Sequence, residues 1–183
     1  MDSKKLIVGV APVGDAPVFA AKIIAAHISG YLNLNTEIAP ALSSPSFAFD
    51  EKRFQYNAGA ILKSYDAMGF NCHKLIALLN VDIFVPIFTH VFGEARQGGK
   101  CGLVSIFRLQ MEQDGFSPAP PLVYERAAKV ALHELGHLFN LLHCEDNRCL
   151  MHFSGGLDQL DRTPFYFCRY CSKFFQDSIV FKS

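Results

Sequence analysis

The apolar pattern of the chain changes period several times, and each change marks an element. Leu6-Ile-Val-Gly-Val-Ala-Pro-Val13 is a short continuous apolar run that ends at Gly14-Asp15. Its length and β-branched residues predict a buried strand over residues 5–10. Lys4-Lys5 give the run a passing likeness to a weak secretory leader, but no small-residue cleavage site follows it. Val18 to Leu32, VFAAKIIAAHISGYL, predicts an apolar helix with alanines spaced for packing on a sheet. Asn35 to Ala39 suits a second short strand, and Ser43-Ser-Pro-Ser46 a loop. Gly59 to Met68 predicts a helix with Ile61, Leu62, Tyr65 and Met68 on one face. Lys74 to Val85 then reads as one central strand ending at Pro86, and Gly93 to Gly102, with four glycines in ten residues, as a loop. Leu103 to Leu109 is expected as a strand near a sheet edge.

Pro118-Ala-Pro-Pro121 opens the next element, where prolines fit because the first helical N–H groups have no intrahelical partner. Val123, Ala127, Val130, Ala131, Leu135 and Leu138 then recur at threes and fours, predicting a helix from Leu122 to about Asn140. After Leu142 the pattern changes. Residues 143–183 hold four of the six cysteines but no long apolar periodicity, so another force must hold them. Alternating strands and helices predict a mixed α/β fold, with residues 1–142 as a sheet-and-helix unit and 143–183 as a small C-terminal subdomain.

Composition narrows the function classes. With 17 Lys+Arg against 17 Asp+Glu, the chain lacks the basic excess of a broad nucleic-acid binder. No apolar stretch reaches the ~18 residues of a membrane span. Without a leader the expected compartment is the reducing cytoplasm, where cysteines are thiols or metal ligands rather than disulfides. A monomer is the working expectation.

The chemistry concentrates at the end of the long helix. His133-Glu134-Leu135-Gly136-His137 sets two imidazoles at i and i+4, one above the other on one helical face and able to share a Zn²⁺ ion. Glu134, rotated about 100° from His133, is free to take a proton from water beside the metal. His143 is the candidate third ligand. In a continuous helix it would sit about 240° round from His137, so the chain must turn between them. Asn140 is the candidate, since asparagine enters the left-handed region readily. Three histidines would leave an open position for water and substrate.

A second constellation lies in the tail. Cys144 and Cys149, then Cys168-Arg-Tyr-Cys171, are two pairs separated by 18 residues, a spacing suited to a Cys₄ zinc site. Rubredoxin-type iron and disulfides are the competing readings. Such a site would supply folding energy that a 40-residue tail could not gain from apolar burial. Because Cys144 follows His143 directly, one short segment would join the two ions, on the order of 10 Å apart.

Residues 133–171 resemble the archaemetzincins, a branch of the metzincin zinc peptidases. The family pattern HExxHxxGxxH-C-x4-C-x-Met with a following CxxC is matched by His133, Glu134, His137, His143, Cys144, Cys149, Met151, Cys168 and Cys171. The glycine-rich loop and GLVSIFRL upstream look similar, less specifically. The resemblance implies His133, His137 and His143 as catalytic zinc ligands, Glu134 as general base, the four cysteines as ligands of a second zinc, and Met151 as the methionine beneath the first. It also implies a metzincin-like twisted mixed sheet with two packed helices, an active-site helix and a small C-terminal subdomain. Asn140 departs from the family, which has Gly at that turn.

Other features carry less. Gly99-Lys100 fails the phosphate-loop pattern, with Glu94 at its first glycine and Cys101 in place of Ser/Thr. Cys72 and Cys101 read as inert thiols. His27, His73 and His90 are assigned no role, and His152 is a minor candidate for the cleft wall. The expected function is a zinc-dependent peptidase acting on a peptide or protein, bound along the strand near Leu103 to Leu109. The alternative is a catalytically weak or inactive, metal-stabilised peptide-binding module on the same scaffold, against which the intact Glu134 argues.

Overall fold

The computed structural model describes residues 6–111, 117–152 and 155–180. Its centre is a five-stranded sheet of order β2-β1-β5-β8-β7, formed by β1 (Ile7–Pro12), β2 (Asn35–Ile38), β5 (Lys74–Leu79), β7 (Gly93–Ala95) and β8 (Cys101–Ser105). Neighbours pair in parallel except β7, which runs antiparallel to β8 with Glu94 opposite Leu103. A second sheet joins β3 (Phe49–Asp50), β4 (Gln55–Asn57) and β6 (Ile83–Phe84).

Both faces of the large sheet are covered, so its inner strands are apolar throughout. Val8, Val10, Ile76 and Val104 pack against α1 (Val18–Leu32) and α3 (Pro120–Leu138). Ala11, Leu75, Ala77 and Leu103 face the other way, onto α2 (Ala58–Asp66) through Ile61, Leu62 and Tyr65. The period-2 alternation of strand side chains divides the core into these two halves. The predicted Val18 to Leu32 helix matches α1. Met68 lies beyond α2 and is exposed, so it does not share that helix face. Lys5, placed in the first strand by the sequence reading, lies outside the described residues.

Three strand expectations change. Lys74 to Val85 is not one strand: β5 stops at Leu79, and Ile83–Phe84 pairs in the second sheet. Asp82 fixes the break, receiving Arg108 Nε and Nη2 at 2.6 Å each and Gln55 Nε2 at 3.0 Å. Gly93 to Gly102 is not all loop, because it supplies β7 and the start of β8. Leu103 to Leu109 is not an edge strand, since β8 ends at Ser105 and pairs on both sides, and the edge is β7.

The tail contains α4 (Leu157–Arg162) and α5 (Arg169–Val180). It has more apolar packing than its sequence suggested. Leu150, Met151, Leu160, Phe167 and Phe175 join the same core cluster as α1 and α3, and the Phe139 and Phe175 rings lie 5.0 Å apart. Buried Arg126 of α3 grips Asp161 through Nε and Nη2, both at 2.7 Å, and donates to Leu109 O at 2.8 Å. Lys129 donates to Asp161 O at 3.0 Å and pairs with Glu125 at 2.9 Å. Among the described residues no helix is long and apolar enough to cross a membrane.

Candidate active site and metal centres

The long helix ends as the sequence requires. Asn140 has φ 68°. Its N–H donates to His137 O at 2.9 Å, and Leu141 N–H donates to Gly136 O at 3.0 Å. This pair of bonds is the Schellman pattern, which satisfies the last carbonyls and reverses the chain. His143 is thereby returned to the helix face: His137 Nε2 lies 3.1 Å from His133 Nε2 and 3.2 Å from His143 Nε2.

In His133 and His137 the other ring nitrogen is already committed. His133 Nδ1 donates to Leu150 O at 2.8 Å, and His137 Nδ1 to Leu141 O at 2.8 Å. That fixes the tautomer with Nε2 as a bare acceptor, the form a metal needs. Burial pushes the His133 imidazole down to about 3, helped by His137 and His143, and the other two rings are also lowered, chiefly by burial. Imidazole nitrogens that face one point as acceptors repel one another unless a cation lies between them. Tetrahedral ligands about 2.0–2.1 Å from zinc sit about 3.3–3.4 Å apart, close to the observed spacing. The donor set therefore fits a zinc ion.

Glu134 is 7% exposed and lies against the edge strand. A Cβ at Gly93 would fall 2.7 Å from Glu134 Oε1 and 2.6 Å from Val130 Cγ1, so only glycine lets β7 approach this closely. Burial raises the Glu134 carboxyl well above the usual range, and Glu94 adds to the effect. A cation at the imidazoles opposes that shift. Beneath the histidines Met151 is fully buried, and a Cβ at Gly136 would collide with its sulfur.

These groups open onto a cleft of about 480 Å³. Its floor is the Lys129–His137 face of α3. One wall is the segment from Phe88 through β7, and the other includes Leu150, Leu160 and Thr163. His90, assigned no role from sequence, lines the cleft, whereas His152 lines a separate hollow with Arg148 and Arg162.

The four tail cysteines also converge, each offering one sulfur within 4.8 Å of the others. Cys144 and Cys168 Sγ atoms are 3.8 Å apart. A disulfide requires about 2.05 Å, while two thiolates about 2.3 Å from a tetrahedral zinc would be about 3.8 Å apart. Cys168 N–H donates to Cys149 Sγ at 3.2 Å, as in a thiolate knuckle. Burial pushes the Cys149 thiol up to about 11. Burial acts on Cys168 too, but the Cys171 N–H and the neighbouring thiols outweigh it and lower that group. Cys101 is buried and its thiol is pushed far up by burial, in keeping with an inert role.

Gln97 escaped the sequence reading. Its carboxamide donates to Leu141 O at 2.9 Å and lies 3.0 Å from His137 Nδ1. Gly98 N–H reaches His137 O at 2.9 Å. The only signal was the glycine-rich stretch itself, whose purpose is legible once it is seen against the helix end.

An α/β fold whose cleft sets a buried carboxylate and three converging imidazoles beside an antiparallel edge strand has the arrangement of a metallopeptidase. The model of peptidase family M54 matches residues 32–177. The archaemetzincin of Methanocaldococcus jannaschii is 34% identical over 172 residues, covering 94% of each chain. That of Pyrococcus horikoshii is 40% identical over 133 residues, covering 72% of this chain and 71% of its own. The crystal structure of the Methanopyrus kandleri archaemetzincin superposes with a TM-score of 0.85 at 30% identity, over 98% of both chains. The chain belongs to peptidase family M54, the archaemetzincins, and is a zinc metallopeptidase.

Proposed function

We propose that His133, His137 and His143 hold the catalytic zinc of this peptidase and that Glu134 is its general base. Cys144, Cys149, Cys168 and Cys171 hold a second, structural zinc, so each chain carries two. The observation that carries this reading is the meeting of three Nε2 atoms at 3.1–3.2 Å beside a buried carboxylate.

Zinc, when bound, supplies Lewis acidity to the scissile carbonyl and to water. The chain's own groups do the rest. The outer edge of β7 pairs with the main chain of the peptide, a role first expected for Leu103 to Leu109 and moved by the sheet order. Glu134 takes the proton of the attacking water and delivers it to the leaving amine. Leu150 O and Leu141 O hold two of the imidazoles in the ligating tautomer. Met151 gives the site an apolar floor, as in the metzincin clan.

Residues 143–183 form a metal-braced subdomain on the 1–142 unit. The 3.8 Å sulfur spacing supports thiolates rather than a disulfide, and with it a cytoplasmic setting. The zero net charge argues against nucleic acid as a partner. Turnover of a quenched peptide library by zinc-loaded wild type and Glu134→Ala tests the reading. The expected loss in the variant is about 10²–10⁴-fold with zinc retained. Equal silence of both across broad sequences would favour a peptide-binding module on the same scaffold.

A further inference from the structure

The β3–β4 turn and the 87–89 lip beside the cleft carry exposed large apolar side chains that peptide-bond hydrolysis does not use, Phe54 among them with its ring 6.5 Å from that of Phe49. Phe54, in the turn between β3 and β4, is 79% exposed at φ 53°. That left-handed conformation is costly for an aromatic residue and suits Asn or Gly. Ile87 is 88% exposed and Phe88 46%. A single exposed apolar residue needs no explanation. A strained one, fixed to its neighbours by a polar scaffold, does.

The scaffold is well defined. Asp50 Oδ1 accepts from Lys52 N at 2.9 Å and Arg53 N at 3.1 Å, which shapes the turn that presents Phe54. Arg53 Nη2 donates to Phe88 O at 3.0 Å and Thr89 O at 3.1 Å, and its guanidinium lies 4.0 Å over the Phe84 ring. Gln55 Nε2 adds a bond to Thr89 O at 2.9 Å. The turn and the 87–89 lip are thus one unit. Phe88 and Thr89 also line the cleft, so the apolar patch continues the substrate surface.

We propose that Phe54, Ile87 and Phe88 form a distal subsite that takes a large aliphatic or aromatic side chain of the peptide substrate at the rim of the cleft, where Phe88 belongs to both. The inference rests on the peptidase reading above. The occupant is the same peptide, because the patch and the cleft share a wall. Its consequence is a preference for long substrates with an apolar anchor remote from the cut bond.

The test compares two fluorogenic peptides on zinc-loaded full chain: one of about six residues, spanning about 20 Å when extended, and one of about sixteen with Leu or Phe at its distal positions. In the Phe54→Asn/Ile87→Ser variant, kcat/KM on the short peptide stays at the wild-type value. On the long peptide it falls about tenfold through KM, the scale expected for one large apolar side chain losing its burial. The Tm is unchanged or raised, since Asn suits the backbone at position 54. The same contrast appears without turnover as a tenfold rise in Kd for the labelled long peptide on a Glu134→Ala background, read by fluorescence anisotropy. Equal long-peptide kinetics in variant and wild type, or an equal loss on both lengths, overturns the subsite. Silence of the wild type on both peptides overturns the peptidase reading together with it.

Discussion

The histidine and cysteine centres lie side by side in sequence yet are built differently. Two imidazoles sit on one helix, His137 buried and His133 half-buried, and the third returns through a two-bond helix cap. The four sulfurs come from short segments, with α5 beginning only at Arg169, between the last two cysteines. The packed helix and its cap bring the first set together. On the proposed reading a second zinc would tie the short segments of the other set, which also lean on the main core through Leu150, Phe167 and Phe175. The contrast is between a site built mainly on one helix and one assembled from short segments.

The sharpest way to break that contrast is Cys168→Ser. Loss of the sulfur cluster is expected to cost more than about 4 kcal/mol, as when a structural metal is removed. Because Cys144 adjoins His143 and its N–H donates to Met151 O at 2.9 Å, zinc at the histidines should also weaken by about tenfold. Metal stoichiometry by native mass spectrometry reads both effects, and unchanged affinity at the histidines would refute the coupling. Next in size is Asp161→Asn. Arg126 would be left buried without its carboxylate, at a cost of about 3 kcal/mol in chemical denaturation. The tail would loosen with its cysteines intact, which shows how much of its docking is ionic rather than metallic.

Gly136→Ala acts on the histidine side. The added methyl meets Met151, so about 2 kcal/mol of stability is expected to be lost to overpacking. A melting curve that does not move would show that Met151 yields freely. The smallest effect lies far from both centres. Burial raises the Tyr65 phenol from 10.0 to about 12. The folded chain holds that proton more tightly than the unfolded one, so the contribution is present below pH 10 and lost as pH rises toward 12. Tyr65→Phe should flatten that part of the stability profile and leave metal content alone.

The sequence made the histidine side easy to read, for a physical reason. Val18 to Leu32 and the helix through Leu138 are long and strongly periodic, and periodicity survives without knowledge of partners. The need for a turn at Asn140 followed from helix geometry alone. The metal-ligand spacings were legible because coordination chemistry restricts them. What escaped depends on long-range pairing. The break after Leu79 is set by Asp82 meeting Arg108, and β7 is a strand because β8 lies beside it. Nothing near Arg126 or Gln97 in sequence announces Asp161 or Leu141. The apolar contacts of the tail are scattered over short pieces, so no period betrays them.

His133 Nδ1 rests on the carbonyl of Leu150, a residue whose own N–H is taken by Tyr166 O at 2.9 Å. The helix and its glutamate are therefore translated well before the groups that orient them. The ring that α3 presents is thus oriented from a point 17 residues further along the chain, and that point is itself held by Tyr166, so an isolated helix would carry the two histidines without the bond that sets the His133 tautomer.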